Sequence, residues 1–165
     1  MSVALVAFTE EHLPPFAELA RDPEVLRFTR FPRELPPDFA EQWLAGYHGD
    51  AGREAFAILL DGAFAGFAVA VGIDRTTKTV ELGYAVAPHA RGRGVASETL
   101  RQLSDWAFAQ GMERLELHIS HDNEGSQRVA ERAGYVREGL LRSVYFKDGL
   151  REDTEIWSLL PSDKP

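Results

Sequence analysis

The sequence predicts an α/β (α+β) fold, a mixed and mostly antiparallel sheet with flanking helices, on three observations. Several short runs alternate apolar and polar residues at period two, the pattern of half-buried strands. Other segments repeat apolar residues at i, i+3 and i+4, the pattern of amphipathic helices. Strands joined by tight turns come early, and a strand-helix-strand-helix-strand succession comes late, so hairpins and a parallel crossover share one sheet.

In chain order, residues 3–8 read as a strand and residues 10–21 as a helix with Pro14 and Pro15 near its start, followed by an irregular Asp22-Pro23-Glu24 turn. Residues 39–47 form a second short helix. Strands 55–60 and 63–72 follow, joined at Asp61-Gly62, a dipeptide suited to the positive φ angles of a two-residue hairpin. A third strand covers 79–86. Beyond it Ala96, Leu100, Leu103 and Ala107 recur at helical spacing as far as Gly111. Leu115, Leu117 and Ile119 alternate with Glu116, His118 and Ser120 in another strand, and Ser126, Val129, Ala130 and Ala133 mark one face of a helix stopped at Gly134. Two last strands, 141–146 and 150–159, are joined by Lys147-Asp148-Gly149.

With 44% apolar and 10% aromatic residues the chain supports one core, and no linker, repeat or low-complexity tract divides it, so residues 1–165 read as a single domain. No window approaches a membrane span, and the first residues lack the basic flank and apolar run of a signal peptide, which makes a cytoplasmic protein the expectation. The absence of cysteine excludes disulfides, thiolate metal ligands and thiol nucleophiles. A formal charge of −8 argues against direct nucleic-acid or anionic-membrane binding. Of the five histidines only His118-x-x-His121 has ligand-like spacing, without a nearby third ligand, so no metal is expected.

Against that acidic background Arg91, Arg93 and Arg101 cluster. The stretch from Gly83 to Ala96 runs from a strand through Arg91-Gly92-Arg93-Gly94 into a periodic helix. This is the chemistry of an anion site: the first helical turn has N–H groups without intrahelical partners, and the glycines let the main chain approach a diphosphate. A P-loop would end in Gly-Lys-Ser/Thr, and here the loop continues Gly94-Val95-Ala96; a dinucleotide fingerprint would want Gly where Ser97 stands.

Arg91-Gly92-Arg93-Gly94-Val95-Ala96 resembles the Arg/Gln-x-x-Gly-x-Gly/Ala signature of the GNAT (GCN5-related) N-acetyltransferase superfamily. Glu81-Leu82-Gly83-Tyr84, Asn123 with Ser126, Ala133-Gly134-Tyr135, Asp22-Pro23-Glu24-Val25 and the closing stretch from Asp153 to Trp157 extend the similarity, toward the RimJ/RimL type of ribosomal-protein N-terminal acetyltransferase. The resemblance implies a sheet splayed open at its centre after the strand ending at Val86, and acetyl-CoA as cosubstrate. It further implies a CoA site formed by Val86, Arg91, Gly92, Arg93, Gly94, Val95, Ala96, Asn123 and Ser126, with the Val86 N–H as oxyanion donor. Pro88, which cannot donate a ladder hydrogen bond, suits the departure from pairing.

Transfer to an amine needs a neutral amine, oxyanion stabilisation and a proton for the leaving thiolate. Glu81 is the candidate base, on the strand face it shares with the small residues Gly83 and Ala85; the other reading is an ordinary strand carboxylate facing water. Ser126 is the candidate acid carried over from RimL-like relatives, against an ordinary serine near a helix start. Asn123 has both a pantetheine-binding and a capping reading. Two departures stand out: Ala130 occupies the place of a tyrosine acid common in the superfamily, so a phenol acid is not expected unless Tyr135 or Tyr145 reaches the thiol, and Val144 occupies that of the RimL-like glutamate base. The acceptor, a small-molecule amine or a protein N-terminus, is expected between the N-terminal helices and the last hairpin, near Phe28, Arg30, Phe31 and Trp43. Succinyl-CoA as donor, a non-catalytic acyl-CoA sensor and a nucleotide-binding domain are the alternatives, in a monomer or a homodimer.

Overall fold

The computed structural model describes residues 1–164. Seven strands form one sheet in the order β1-β2-β3-β4-β5-β7-β6: β1 Val3–Ala7, β2 Glu54–Leu60, β3 Ala63–Asp74, β4 Thr79–Val86, β5 Arg114–Ser120, β6 Val136–Lys147 and β7 Leu150–Leu159. All neighbours are antiparallel except β4 and β5. That parallel pair holds register only at Thr79–Arg114, Val80–Leu115 and Glu81–Glu116, after which the strands separate. The mixed sheet splayed at its centre is therefore present.

Helices α1 Leu13–Leu19, α2 Pro23–Phe28 and α3 Phe39–Tyr47 cover one face, and α4 Val95–Ala109 and α5 Glu124–Arg132 the other. Two apolar cores follow from strand alternation. Val80, Leu82 and Val86 face Leu100, Leu103 and Ala107 of α4, while Ala85 and Phe67 face Phe16 and Phe31. The second core is dominated by rings: Phe16 stacks on Trp43 at 4.3 Å and meets Phe67 edge-on at 5.2 Å.

Three local expectations are corrected. The segment at Asp22 is no irregular turn: Pro23 opens α2, and the Asp22 carboxylate caps it by accepting from the Val25 N–H at 3.2 Å. The helix expected over residues 10–21 is a 3-10 turn, Glu10–His12, followed by the shorter α1, with its prolines in the first turn where no intrahelical donor is lost. Strand β6 begins at Val136, five residues earlier than the alternation suggested, because two irregularities, at Arg137/Gly139 and Leu141/Tyr145, break its period-two pattern. The Asp61-Gly62 hairpin forms as expected, with φ of 51° and 85°.

On the far side of the splay β5 is braced by β7. Glu155, 3% exposed, receives hydrogen bonds from Trp157 Nε1 at 3.0 Å and Arg137 Nε at 3.0 Å, and its other oxygen lies 2.8 Å from His121 Nδ1. Burial pushes this carboxyl up, but the bonds from His121, Arg137 and Trp157 outweigh it and hold the group below the usual glutamate value. A lowered folded-state value stabilises the fold above the unfolded value, and the gain fades as pH falls toward the folded one. Glu155→Ala, which also leaves the buried Trp157 N–H without its acceptor, is expected to cost about 1–3 kcal/mol near neutral pH. Urea unfolding of both proteins at pH 7 and pH 4 should show the difference narrowing at the lower pH.

Candidate active site

The break in β4–β5 pairing opens a cleft of about 850 Å³ that runs from the start of α4, past α5, to the aromatic core beneath α1–α3. At one end β4 turns through a 3-10 turn, Pro88–Ala90, into the Arg91–Gly94 loop. Gly94 precedes α4 at φ 79°, and no side chain caps the helix. The first intrahelical bond here is Glu98 N–H to the Gly94 carbonyl, so the preceding amides of the turn have no helical acceptor. A Cβ on Gly92 or Gly94 would meet nothing within 4 Å. The protein needs these glycines for positive φ, and the space beside them is open to an approaching anion. Arg91, Gly92, Gly94, Val95 and Ala96 all line the cleft, whereas Arg93 is exposed and does not.

Arg91 is heavily engaged. Its Nε donates to the Val86 carbonyl at 3.0 Å, and its two terminal nitrogens lie 2.6 Å from Asp22 and 2.9 Å from Glu24. Asp22 thus caps α2 and holds the Arg91–Gly94 loop at once. Its carboxyl, pushed up by burial, is pulled below its ordinary value by the Arg91 bond and the Val25 amide. The Ala87 N–H donates to the Ala65 carbonyl of β3 at 2.7 Å. Because backbone groups alternate sides along a strand, the N–H of Val86 points the other way, into the gap.

Asn123 caps α5, its Oδ1 accepting from the Ser126 N–H at 3.2 Å. The cap uses the carbonyl oxygen alone, and the residue still lines the cleft. Ser126 is therefore a capped residue of the first turn and not the cap, and its Oγ accepts from the Tyr84 hydroxyl at 3.5 Å. Burial raises the Tyr84 phenol above its ordinary value, with the Ser126 bond opposing. Tyr135, considered for the thiol, instead shares a 2.7 Å hydrogen bond with Ser104 inside the core. Tyr145 lies beside Arg30, 5.9 Å from ring centroid to guanidinium.

Glu81 is half-buried in the cleft wall, where the sheet begins to open. Its Oε1 lies 3.3 Å from His118 Nδ1, and the other His118 nitrogen is 3.9 Å from Glu116. The sequence reading weighed His118 only as one of a pair with His121 for a metal and gave it no part beside Glu81. The signal was its alternation with Leu117, which puts it on the same face as Glu116, but only the β4–β5 register brings Glu81 there. Also missed was Lys147, which donates to the carbonyls of Leu26 and, at 2.8 Å, Thr29, closing the end of α2. Arg27 pairs with Asp122 at 3.0 Å and with Glu152. These bonds pin α2 and the last hairpin together beside the aromatic end of the cleft. Phe28, Arg30, Phe31 and Trp43 line that end, and Phe31 serves simultaneously as core.

The model of the acetyltransferase (GNAT) domain matches residues 2–136. The chain belongs to the GNAT acetyltransferase family. Within that family it is 30% identical over 119 residues to YdaF of Bacillus subtilis (strain 168), which carries a ribosomal N-acetyltransferase name; the match covers 72% of this chain and 64% of that protein. The chain spans about half to two thirds of the length of the curated relatives it matches. Among solved structures, spermidine N-acetyltransferase from Vibrio cholerae, in complex with CoA and spermine, superposes with a TM-score of 0.89 at 20% identity, covering 98% of this chain and 96% of that one. RimL, a ribosomal L7/L12 α-N-protein acetyltransferase in complex with coenzyme A, gives 0.90 at 20% identity over 99% and 97%. At such identity these likenesses concern the GNAT fold. Among the described residues no helix is long and apolar enough to cross a membrane, and no three ligating side chains are grouped to hold a metal ion.

Proposed function

We propose that this GNAT protein transfers an acetyl group from acetyl-CoA to an amine held in the same cleft. The observation that carries this reading is the convergence on one gap of the uncapped start of α4, the inward Val86 amide, the Tyr84–Ser126 pair and the Glu81–His118 pair. The cosubstrate fits the residues present: the open glycine turn suits a diphosphate, and unpaired strand edges suit an extended amide-bearing arm. When bound, acetyl-CoA supplies the acetyl group and a thiolate leaving group.

The residues then divide the work. The first-turn amides of α4 hold the diphosphate, and Arg91, tied to Asp22 and Glu24, holds the loop in place. Asn123 offers its amide nitrogen to the arm. The Val86 N–H, fixed before reaction, stabilises the developing oxyanion. Glu81 takes the amine's proton through a water, with the His118 ring 3.3 Å beside it. Ser126 accepts from Tyr84, which leaves its own proton directed into the cleft toward the thiolate; the first turn of α5 favours negative charge at that point. A chain without cysteine suits such work in the reducing cytoplasm.

Release of free thiol from acetyl-CoA in the presence of a mixed amine library tests the reading; a protein that binds acetyl-CoA and releases none with any amine would be a binding module instead. Ser126→Ala is expected to keep acetyl-CoA affinity within a few-fold and to lower kcat roughly ten- to a thousand-fold, because the hydroxyl acts only as charge develops on sulfur. An unchanged kcat would remove Ser126 from the mechanism.

A further inference from the structure

The cleft beyond Glu81 has a charge pattern that selects among amines. Two guanidinium groups line it, Arg30 after α2 and Arg53 ahead of β2, and neither forms an ion pair among the described residues. Arg53, half-buried, lies 4.4 Å over the Tyr47 ring and donates to the Gly46 carbonyl at 3.4 Å. The carboxylates in the same wall are already partnered, Glu24 by Arg91 at 2.9 Å and Glu81 by His118 at 3.3 Å. The rest of this wall is mostly apolar, with the rings of Phe31 and Trp43 beside the aliphatic Val69 and Val71.

Register fixes the spacing. Glu54 pairs with Ala70 and Val71 with Glu81, so Arg53, one residue before Glu54, stands level with Val71 and two strand spacings from Glu81, roughly 10 Å between Cα atoms. An arginine side chain and an α-amino acid together span that distance. We infer that the acceptor is an amine that also carries a carboxylate, a free amino acid with an apolar or aromatic side chain, whose amine lies at Glu81 and whose carboxylate is held by Arg53. This rests on the acetyl-transfer reading of the cleft. A guanidinium fork matches a carboxylate in two parallel hydrogen bonds, and the aromatic wall buries the side chain. A polyamine would instead bring a second ammonium toward Arg53 and Arg30, with only Glu81 and the Arg91-paired Glu24 to offset it.

The test is calorimetric binding to the protein saturated with CoA, comparing L-phenylalanine, L-tyrosine, L-methionine and L-leucine with the amines that lack only the carboxylate, and with spermidine. At least one amino acid should bind roughly ten- to a hundred-fold more tightly than its decarboxylated partner, the range of one charge-assisted interaction. In Arg53→Gln, checked for folding by circular dichroism, that preference should fall to within about three-fold, while Arg53→Lys, which keeps the charge without the fork, should retain part of it. Spermidine or the decarboxylated amines binding as tightly as the amino acids would overturn the inference, as would a preference that survives in folded Arg53→Gln. Thiol release is measured separately on the same panel: a carboxylate preference without release defeats acetyl transfer and leaves the subsite standing, whereas release confined to amines without a carboxylate defeats the subsite alone.

Discussion

Gly94→Asp is expected to abolish acetyl-CoA binding while leaving the protein folded. Gly94 sits at φ 79° with open space where a Cβ would project, so the strain is limited to a left-handed conformation that aspartate tolerates better than most residues. The damage falls on the ligand. A carboxylate at the mouth of the α4 turn opposes the diphosphate and competes for the same amides. A ligand at about a hundred times its Kd stabilises the native state by about 2.7 kcal/mol, so wild type should show a clear rise in Tm with acetyl-CoA that the variant lacks. Gly94→Ala, which adds the Cβ without the charge, should fall between the two. A folded Gly94→Asp protein with the wild-type Tm rise would show that the α4 turn does not hold the diphosphate.

The second large effect concerns Glu81. Glu81→Gln preserves shape and leaves a hydrogen-bonding group beside His118 but removes the proton acceptor, and a general base contributes roughly a hundred- to ten-thousand-fold. The defect should be greatest at low pH and shrink as rising pH supplies neutral amine from solution, so the wild-type rate levels off at lower pH than that of the variant. Rates of one identified acceptor measured from about pH 6 to about 10 decide the point. Parallel profiles with a constant offset would mean that Glu81 only orients the amine, since positioning does not depend on the amine's ionisation. His118→Ala should show the same pH-dependent pattern more weakly if the imidazole serves Glu81.

Much of this site was legible because its parts are local. The glycine loop, the periodic helix after it and the face shared by Glu81, Gly83 and Ala85 need only a few neighbouring residues, and strand and helix periodicities order those without reference to the rest of the chain. The Asp61-Gly62 turn was legible for the same reason, as the dipeptide itself supplies the φ angles. Ser126 was read correctly as an inward residue of a helix, but its distinction from the cap depended on Asn123 Oδ1 reaching its N–H. Capping residues three apart compete for such roles, and composition alone does not choose between them. Asp22 was misread for a related reason: a short Asp-Pro-Glu run suits a turn or a helix start equally, and the partner that favours the helix start, Arg91, lies 69 residues away.

The sequence by itself thus determined the class of fold, the order of the strands and of the helices other than α2, the glycine-arginine loop ahead of α4, and the strand and helix that carry Glu81 and Ser126. Only the tertiary structure decided what surrounds them. It placed His118 beside Glu81 through a parallel register three pairs long, the Tyr84 hydroxyl on Ser126, Arg91 on Asp22 and Lys147 on the end of α2, contacts that span from 37 to 121 residues of chain. It also turned Arg53 into the same cleft as Glu81. The physical reason is that periodicity records which face a residue occupies, whereas the neighbour it meets there depends on strand order and register, which the hydrophobic core sets globally.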